Sequence, residues 1–576
     1  MNLRSFFDEL SRRHVVRATL GYCVGAWVVI QVVSTIAPLL GLSESVPRAV
    51  AIAAIALLPV AVLLSWFFDV TRSGVRLTPD IDPAVAASRP RRRFATQAFG
   101  FIGLGVVLTI VGFAAFNVRA RSTHSRHIES IAVLPFVDLS PNHDQEYFTD
   151  GVTEELMNRL ARTGIRVAAR TSTFAFKGKN VDVETIARQL QVQAILEGSI
   201  RRDGNRLRIT ATLIDATDGA VLWGDSFERT DSSIFAIQDE ISGAIVEALQ
   251  LKLAGNQRNG TSTNNLAAQE LYFKGLKAFH AGTDPQLRAA LQFFDQAIAL
   301  DSTYALAYAG LAKTYAVLPA FGDYPAAEAL NRGNLAASRA MALQTDLGEA
   351  YAARGQIAQN LEWDLKTALA HYGRALRTSP NDANTHQWYA EALLMTGDLP
   401  NAQNEIQRAL EIDPLSATAQ NLRGYHLLLR GDAANALRIY QLLLRDNPEF
   451  RFGFLNYAFA ALAAREYGDA VPALVAAFPQ IGPEVGSFVA AASGQGDARA
   501  AAALVETIGQ AEHGSVTALL YAAIGQREQA LQALEASLDS ANDANLPYWL
   551  LHPLFRPLRN NARFKKIARD VGVTIL

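Results

Sequence analysis

Three stretches decide the fold: ALAHYGRALRTSP at 368–380, AQNEIQRALEIDP at 402–414 and ALRIYQLLLRDNP at 436–448. Laid over one another they share a register of 34 residues. Pro380, Pro414 and Pro448 align, as do Ala368, Ala402 and Ala436, followed by Ala470. Gly397 and Gly431 keep the same spacing. A fixed period of this length, with small residues where two helices cross and bulky ones in the gap, defines helix–turn–helix units that stack into a solenoid. The core positions are Ala368, Tyr372 and Ala375, then Ala402, Ile406 and Ala409, then Ala436, Tyr440 and Leu443.

Working outward, Ala290, Phe294 and Ala297 mark an earlier unit, and Ala470 opens a later one. Residues 303–345 read as a poorer unit with an insertion around Phe321–Pro325. The array predicted over 266–576 holds six or seven helical hairpins, and its tail, from Tyr548 on, seals the solenoid end. Ligand-facing positions belong on the first helix of each unit, toward the concave side. The register points to Gln387, Glu391, Asn421 and Tyr425 as partner-binding candidates for proteins or peptides.

Upstream, the pattern changes. Residues 128–253 alternate short apolar runs with helical periodicity in the order β-α-β-α-β-β-β-α, which predicts a compact α/β domain with a mixed sheet. Asp203-Gly204-Asn205 reads as a hairpin turn, and Arg166–Phe176 as one strand. Glu154 and Glu155 are adjacent, so on a helix they diverge by about 100° and do not form an acid/base pair. Arg170 and Lys177 read as exposed charges at a sheet edge, and Gly198 as a site of close backbone approach. Residues 254–265, rich in Gly, Asn, Ser and Thr, read as a linker.

The segments SIAVLPFVDLSPNHDQEYFTDGVTEELMNRLAR (130–162), RVAARTSTFAFKG (166–178) and ILEGSIRRDGNRLRITATLIDATDGAVLWGDSF (195–227) resemble the TolB-like amino-terminal domain, related to a flagellar outer-membrane-associated (FlgO) family. In bacterial proteins that domain often precedes a tetratricopeptide (TPR) array. Its N-terminal neighbour is a cyclase domain, a winged-helix domain or a membrane segment. The resemblance implies an accessory role and supplies no catalytic residue.

The first 120 residues suggest that last neighbour. Ala18–Ser43, Ala49–Phe68 and Phe94–Val118 carry no Asp, Glu, Lys or Arg, and each is long enough to cross a hydrocarbon core as a helix. Three transmembrane helices are therefore expected over 18–118, after an amphipathic cytoplasmic segment at 1–17. Arginines cluster before the first span and, from Arg72 to Arg93, between the second and third. By the positive-inside rule they place the N-terminus inside, so residues 119–576 are expected in the periplasm of a multi-pass inner-membrane protein.

Composition excludes other classes. Net charge is −2, which offers no basic field for nucleic acid. A single cysteine, Cys23, rules out an intrachain disulfide. No GxxxxGK[ST] or GxGxxG occurs, and His124 and His127 lack a third ligand at metal-site spacing. No catalytic, cofactor or metal residue and no small-molecule substrate is expected. The expected function is a membrane-anchored TPR protein holding partners at the bacterial envelope. The alternative is a non-catalytic regulatory or sensory component of a membrane signalling system, related to cyclase- or winged-helix-linked receptors.

Overall fold

The computed structural model describes residues 15–39, most of 50–77, and 128–575 with breaks, the longest at 231–239 and 245–262. The chain divides into two compact units, Met1–Arg126 and His127–Leu576.

The first unit holds one long helix, α1 (Val15–Leu39), and an antiparallel hairpin of β1 (Phe68–Thr71) and β2 (Gly74–Leu77). Tyr22 Oη donates to Ala54 O at 2.7 Å, tying α1 to the helical residues that follow. The expectation of three transmembrane helices is corrected here: among the described residues, no helix is long and apolar enough to cross a membrane. The second predicted span is described only in part, and the third, 94–118, lies outside the described residues. The multi-pass inner-membrane location and the periplasmic placement of 119–576 rested on those spans and fall with them. Most of the segment at 1–17, the linker at 254–265 and the pair His124 and His127 also lie outside the described residues.

In the second unit, the α/β domain forms a mixed sheet in the order β5-β3-β6-β7-β8, with β4 beside β6. Its strands are β3 (Ser130–Val133), β4 (Val137–Asp138), β5 (Arg166–Val167), β6 (Ala194–Asp203), β7 (Arg206–Asp215) and β8 (Val221–Thr230). β3 runs parallel to β5 and β6, while β6, β7 and β8 are antiparallel neighbours. Gly198 permits close packing as expected: a Cβ there would stand 2.4 Å from Thr210 O and 2.8 Å from the Phe136 ring. The helices are α2 (Glu146–Ala161), α3 (Arg170–Phe174) and α4 (Val183–Leu190). The run read as one strand, 166–176, is a two-residue strand followed by α3. Ser172 and Thr173 turn inward there and satisfy their hydroxyls locally and against the repeats.

The rest is helical. Eight antiparallel hairpins are described, one more than the upper sequence count. They are α5 (Leu266–Ala281) with α6 (Asp284–Leu300), α7 (Ala305–Val317) with α8 (Ala326–Leu343), α9 (Gly348–Asn360) with α10 (Leu365–Thr378), and α11 (Ala383–Met395) with α12 (Leu399–Ile412). Then come α13 (Ala417–Leu429) with α14 (Ala433–Asp446), α15 (Arg451–Ala464) with α16 (Tyr467–Ala477), α17 (Val485–Ala492) with α18 (Ala498–Gly509), and α19 (Gly514–Ala523) with α20 (Arg527–Ser540). The 34-residue register has a physical origin at the turns. Asp364, Asp398 and Asp432 each cap the second helix of a hairpin by accepting from the backbone N–H three residues on. One residue earlier, the chain passes through the left-handed region at Trp363, Gly397, Gly431 and Arg465. In the gap between the helices, the Tyr372 and Tyr440 rings fill the space left by Gly355 and Gly424, where a Cβ would stand 2.5 and 2.7 Å from ring atoms.

Two parts of the same chain cover stretches of the inner face of this solenoid. The α/β domain lies against the first hairpins: α2 packs on α5, with Gly151 directly under the Phe273 ring. One apolar core runs from Ile131, Leu156 and Ile209 in the domain to Phe273, Phe294 and Tyr304 in the repeats. The domain also reaches the turns of later hairpins. Ala169 N donates to Ile412 O at 3.0 Å, Leu415 N to Ser172 Oγ at 3.0 Å, and Asn381 Nδ2 to Ile165 O at 3.1 Å. At the other end, α21 (Leu546–Leu550), a 3-10 turn at Pro553–Leu558 and α22 (Ala562–Asp570) turn back onto the inner helices. Thr574 N finally donates to Met395 O at 3.0 Å. The tail therefore lines the array as well as closing its end.

Candidate functional site

The four candidate residues fall on two successive inner helices. Gln387 and Glu391 lie on α11, and Asn421 and Tyr425 lie one 34-residue step later on α13. Their environments differ. Tyr425 is completely buried: its hydroxyl donates to Tyr548 O at 2.7 Å, and its ring stacks on Tyr548 at 4.2 Å and on His552 at 6.2 Å. Asn421 is 3% exposed, with no hydrogen-bond partner for its Oδ1. The returning tail covers both, so neither presents an open surface. One step further along the register, Phe459 packs edge-on against Trp549, and Asn456 accepts from Tyr548 Oη at 2.9 Å.

Gln387 and Glu391 are half-buried. Gln387 Oε1 accepts from Thr418 Oγ1 at 2.6 Å, which links α11 to α13. Glu391 stands at the register position of Tyr425 and Phe459 but is a carboxylate. Burial raises its pKa to about 7, against the opposing pull of a hydrogen bond with Gln359. Gln359 in turn accepts from Tyr372 Oη at 3.0 Å. At neutral pH this position therefore carries a partly protonated acid among amide and phenol groups, and it can both donate and accept.

A second group of side chains, which the sequence reading did not connect, runs from the domain to Trp388 on α11. Arg170 was expected at an exposed sheet edge, but α3 brings its Nε to 3.2 Å from Glu154 Oε2 and its guanidinium over the Phe174 ring at 3.9 Å. Lys177 is likewise paired, with Asp150 at 2.6 Å and Glu146 at 2.9 Å. His280 Nε2 lies 3.3 Å from Glu154. As expected, the two adjacent glutamates point apart, since Glu155 pairs with Arg159 at 3.2 Å instead. Burial pushes the Glu154 carboxyl upward, but His280, Arg170 and Lys313 outweigh it and hold the group down at about 2. Burial lowers the His280 pKa despite that carboxylate, so the ring is neutral at pH 7. Lys313 Nζ stands over two rings, Phe279 at 4.8 Å and Trp388 at 5.4 Å. These residues are scattered between positions 154 and 388 in sequence, and no periodicity within 128–253 signals that the domain folds back into the array. Among the described residues, no group of three His, Cys, Asp or Glu side chains is placed to hold a metal ion.

Comparison with known proteins divides the chain similarly. Residues 126–244 match the family described as HilA/YgeH-like transcriptional regulator, second domain, and 362–424 match the tetratricopeptide repeat. The C-terminal array is thus a tetratricopeptide array. A curated relative, "Putative adenylate cyclase 3" of Rhizobium meliloti (strain 1021), is 43% identical over 144 residues, which is 25% of this chain. The chain spans only 24% of that relative's length. Similar solved structures include TTC0263, a thermophilic TPR protein of Thermus thermophilus, at 22% identity and a TM-score of 0.28, covering 34% of this chain and all of that one. Another is YrrB, described as a TPR protein with an unusual peptide-binding site, at 19% identity and a TM-score of 0.25, covering 32% of this chain and 91% of that one.

Proposed function

We propose that this chain is a non-catalytic scaffold that binds partner proteins or peptides through the part of its inner face left between the α/β domain and the returning tail. The observation that carries this reading is the unequal covering of one repeated surface. Tyr425 and Phe459 are sealed by the tail, while Gln387, Trp388 and Glu391, on the preceding inner helix, stay in contact with solvent. A pre-formed concave surface recognises a partner at little conformational cost. The TolB-like resemblance, with its accessory role, agrees with this reading.

Affinity capture by the full chain tests it. Partner proteins retained by the wild type should be lost from Trp388→Ala and Gln387→Arg. They should be kept by Arg438→Glu, which alters an exposed position on the outer helix α14. Retention by the inner-face variants and loss from Arg438→Glu would overturn it.

A second reading is favoured by the relative named as a putative adenylate cyclase: the shared segment would be a regulatory part of a signalling system. A separate cyclase would then co-purify with this chain, and the purified chain alone would form no cyclic nucleotide. Cyclic nucleotide formed by the purified chain itself would contradict both readings.

A further inference from the structure

Lys313 lacks what nearly every other cation around it has. Arg170 and His280 share Glu154, Lys177 is bound by Asp150 and Glu146, and Lys277 by Glu146 at 2.5 Å. Arg354 pairs with Glu362 at 3.0 Å. Lys313 has no carboxylate within ion-pair distance among the described residues, only the Phe279 and Trp388 rings. It is half-buried, and so are both rings. A lysine held this way has lost part of its hydration without gaining a contact ion pair, since Glu154 acts on it only at longer range, and ring faces compensate for only part of that loss.

The surroundings add positive charge. Along the connected strip Arg170–Glu154–His280–Phe279–Lys313–Trp388, one carboxylate faces Arg170 and Lys313 as well as the histidine. The strip thus keeps an excess positive charge with a neutral imidazole. It is built jointly by α3 and α2 of the domain, by α5 and α7 of the first hairpins and by α11, so it exists only when the domain is docked in the array.

We propose that this strip is a binding site for an acidic peptide segment, with Lys313 as the cation that receives its carboxylate and Trp388 as the apolar contact for the neighbouring peptide side chain. Charge complementarity favours an anion over a neutral or basic segment, and the half-buried Phe279 and Trp388 rings beside Lys313 offer apolar contact that a peptide uses and a compact ion does not. The proposal rests on the scaffold reading and narrows it to one partner chemistry.

The alternative, that these charges merely hold the domain to the array, makes different predictions. Lys313 forms no contact ion pair, so Lys313→Gln lowers the thermal midpoint less than Glu154→Gln does, since Glu154 pairs with both Arg170 and His280. Glu154→Gln removes the internal competitor for Lys313 and Arg170, so it strengthens anion binding even as it weakens the junction. Titration calorimetry on the full chain with a glutamate-rich hexapeptide, its lysine-rich counterpart and inorganic phosphate separates the cases.

The expected result is saturable binding of the acidic peptide alone. It should weaken at least tenfold in Lys313→Gln and tighten several-fold in Glu154→Gln. Four results would overturn the proposal: no binding of the acidic peptide at millimolar concentration, equal binding of the lysine-rich peptide, binding unchanged by Lys313→Gln, or phosphate displacing the peptide at equal concentration. If these fail while partner capture stays sensitive to Trp388→Ala, the scaffold reading survives without this site. If both fail, the scaffold reading fails too.

Discussion

At the scale of single residues, the turn positions show how the repeat tolerates strain. Residues 363, 397, 431 and 465 all occupy the left-handed region, at φ values of 53, 83, 86 and 64°. Glycine meets this demand twice. Trp363 and Arg465 meet it at a steric cost on the order of 1–2 kcal/mol each. Trp363 recovers part of that cost by packing against the apolar core, whereas Arg465 is exposed. Arg465→Gly should therefore raise stability by about 1 kcal/mol, less the extra freedom glycine gives the unfolded chain, and denaturant titration would read this as a higher midpoint at an unchanged slope. The two glycines were legible in the sequence because their spacing repeats. The two exceptions were not, since neither residue type signals a left-handed turn.

Glu391 makes a prediction of opposite character. Its folded pKa of about 7 lies above its ordinary value of 4.5, so between those pH values the folded chain holds a proton the unfolded chain has lost. Stability from this group is gained as pH falls through 7 and is lost above it, by up to something on the order of 3 kcal/mol. Glu391→Gln should melt higher than the wild type at pH 8.5, with the difference shrinking toward pH 5. Its place on an inner helix was readable from the register. Its titration was not, because that depends on Gln359 and on protein packed around it.

Among elements, the returning tail has the largest effect on which surface is available. Trp549 is fully buried, with Tyr425, Phe452, Phe459 and Tyr548 around it. Trp549→Ala should cost about 3–5 kcal/mol, measured by chemical denaturation, and should increase hydrogen exchange in α13 and α15 more than in α5 and α7. The apolar and basic residues of 548–573 suggest a segment that seals the solenoid end, and in the structure the tail also packs along inner helices. The inward direction is set by Tyr425 and Phe459, whose rings on inner helices are covered by Tyr548 and Trp549. Tyr425 read as a partner-binding residue from the register, and only its pairing with Tyr548 and Trp549 shows that the chain supplies its own occupant. Asp364, Asp398 and Asp432 are the opposite case, since a cap acts within four residues and the period alone places them.

At the scale of the whole unit from His127 to Leu576, domain and first repeats share one apolar core. Period and composition separate them in sequence, because repeats are local and the contacts between Ile165 and Asn381, or Ala169 and Ile412, span more than two hundred residues. The first 126 residues show the limit of reading hydropathy alone. Apolar length predicted three spans there, and none of the described helices is long and apolar enough to cross a membrane. The central claim is that one stretch of inner face, around Trp388, is left for a partner while the next, around Tyr425, is closed. Photo-crosslinking in cells that produce the full chain tests it most directly, with a photoreactive amino acid placed in turn at Trp388 and at the exposed outer position Arg438. The account predicts a discrete crosslinked protein partner from position 388 and none from 438. Crosslinking from 438 with none from 388 would contradict it.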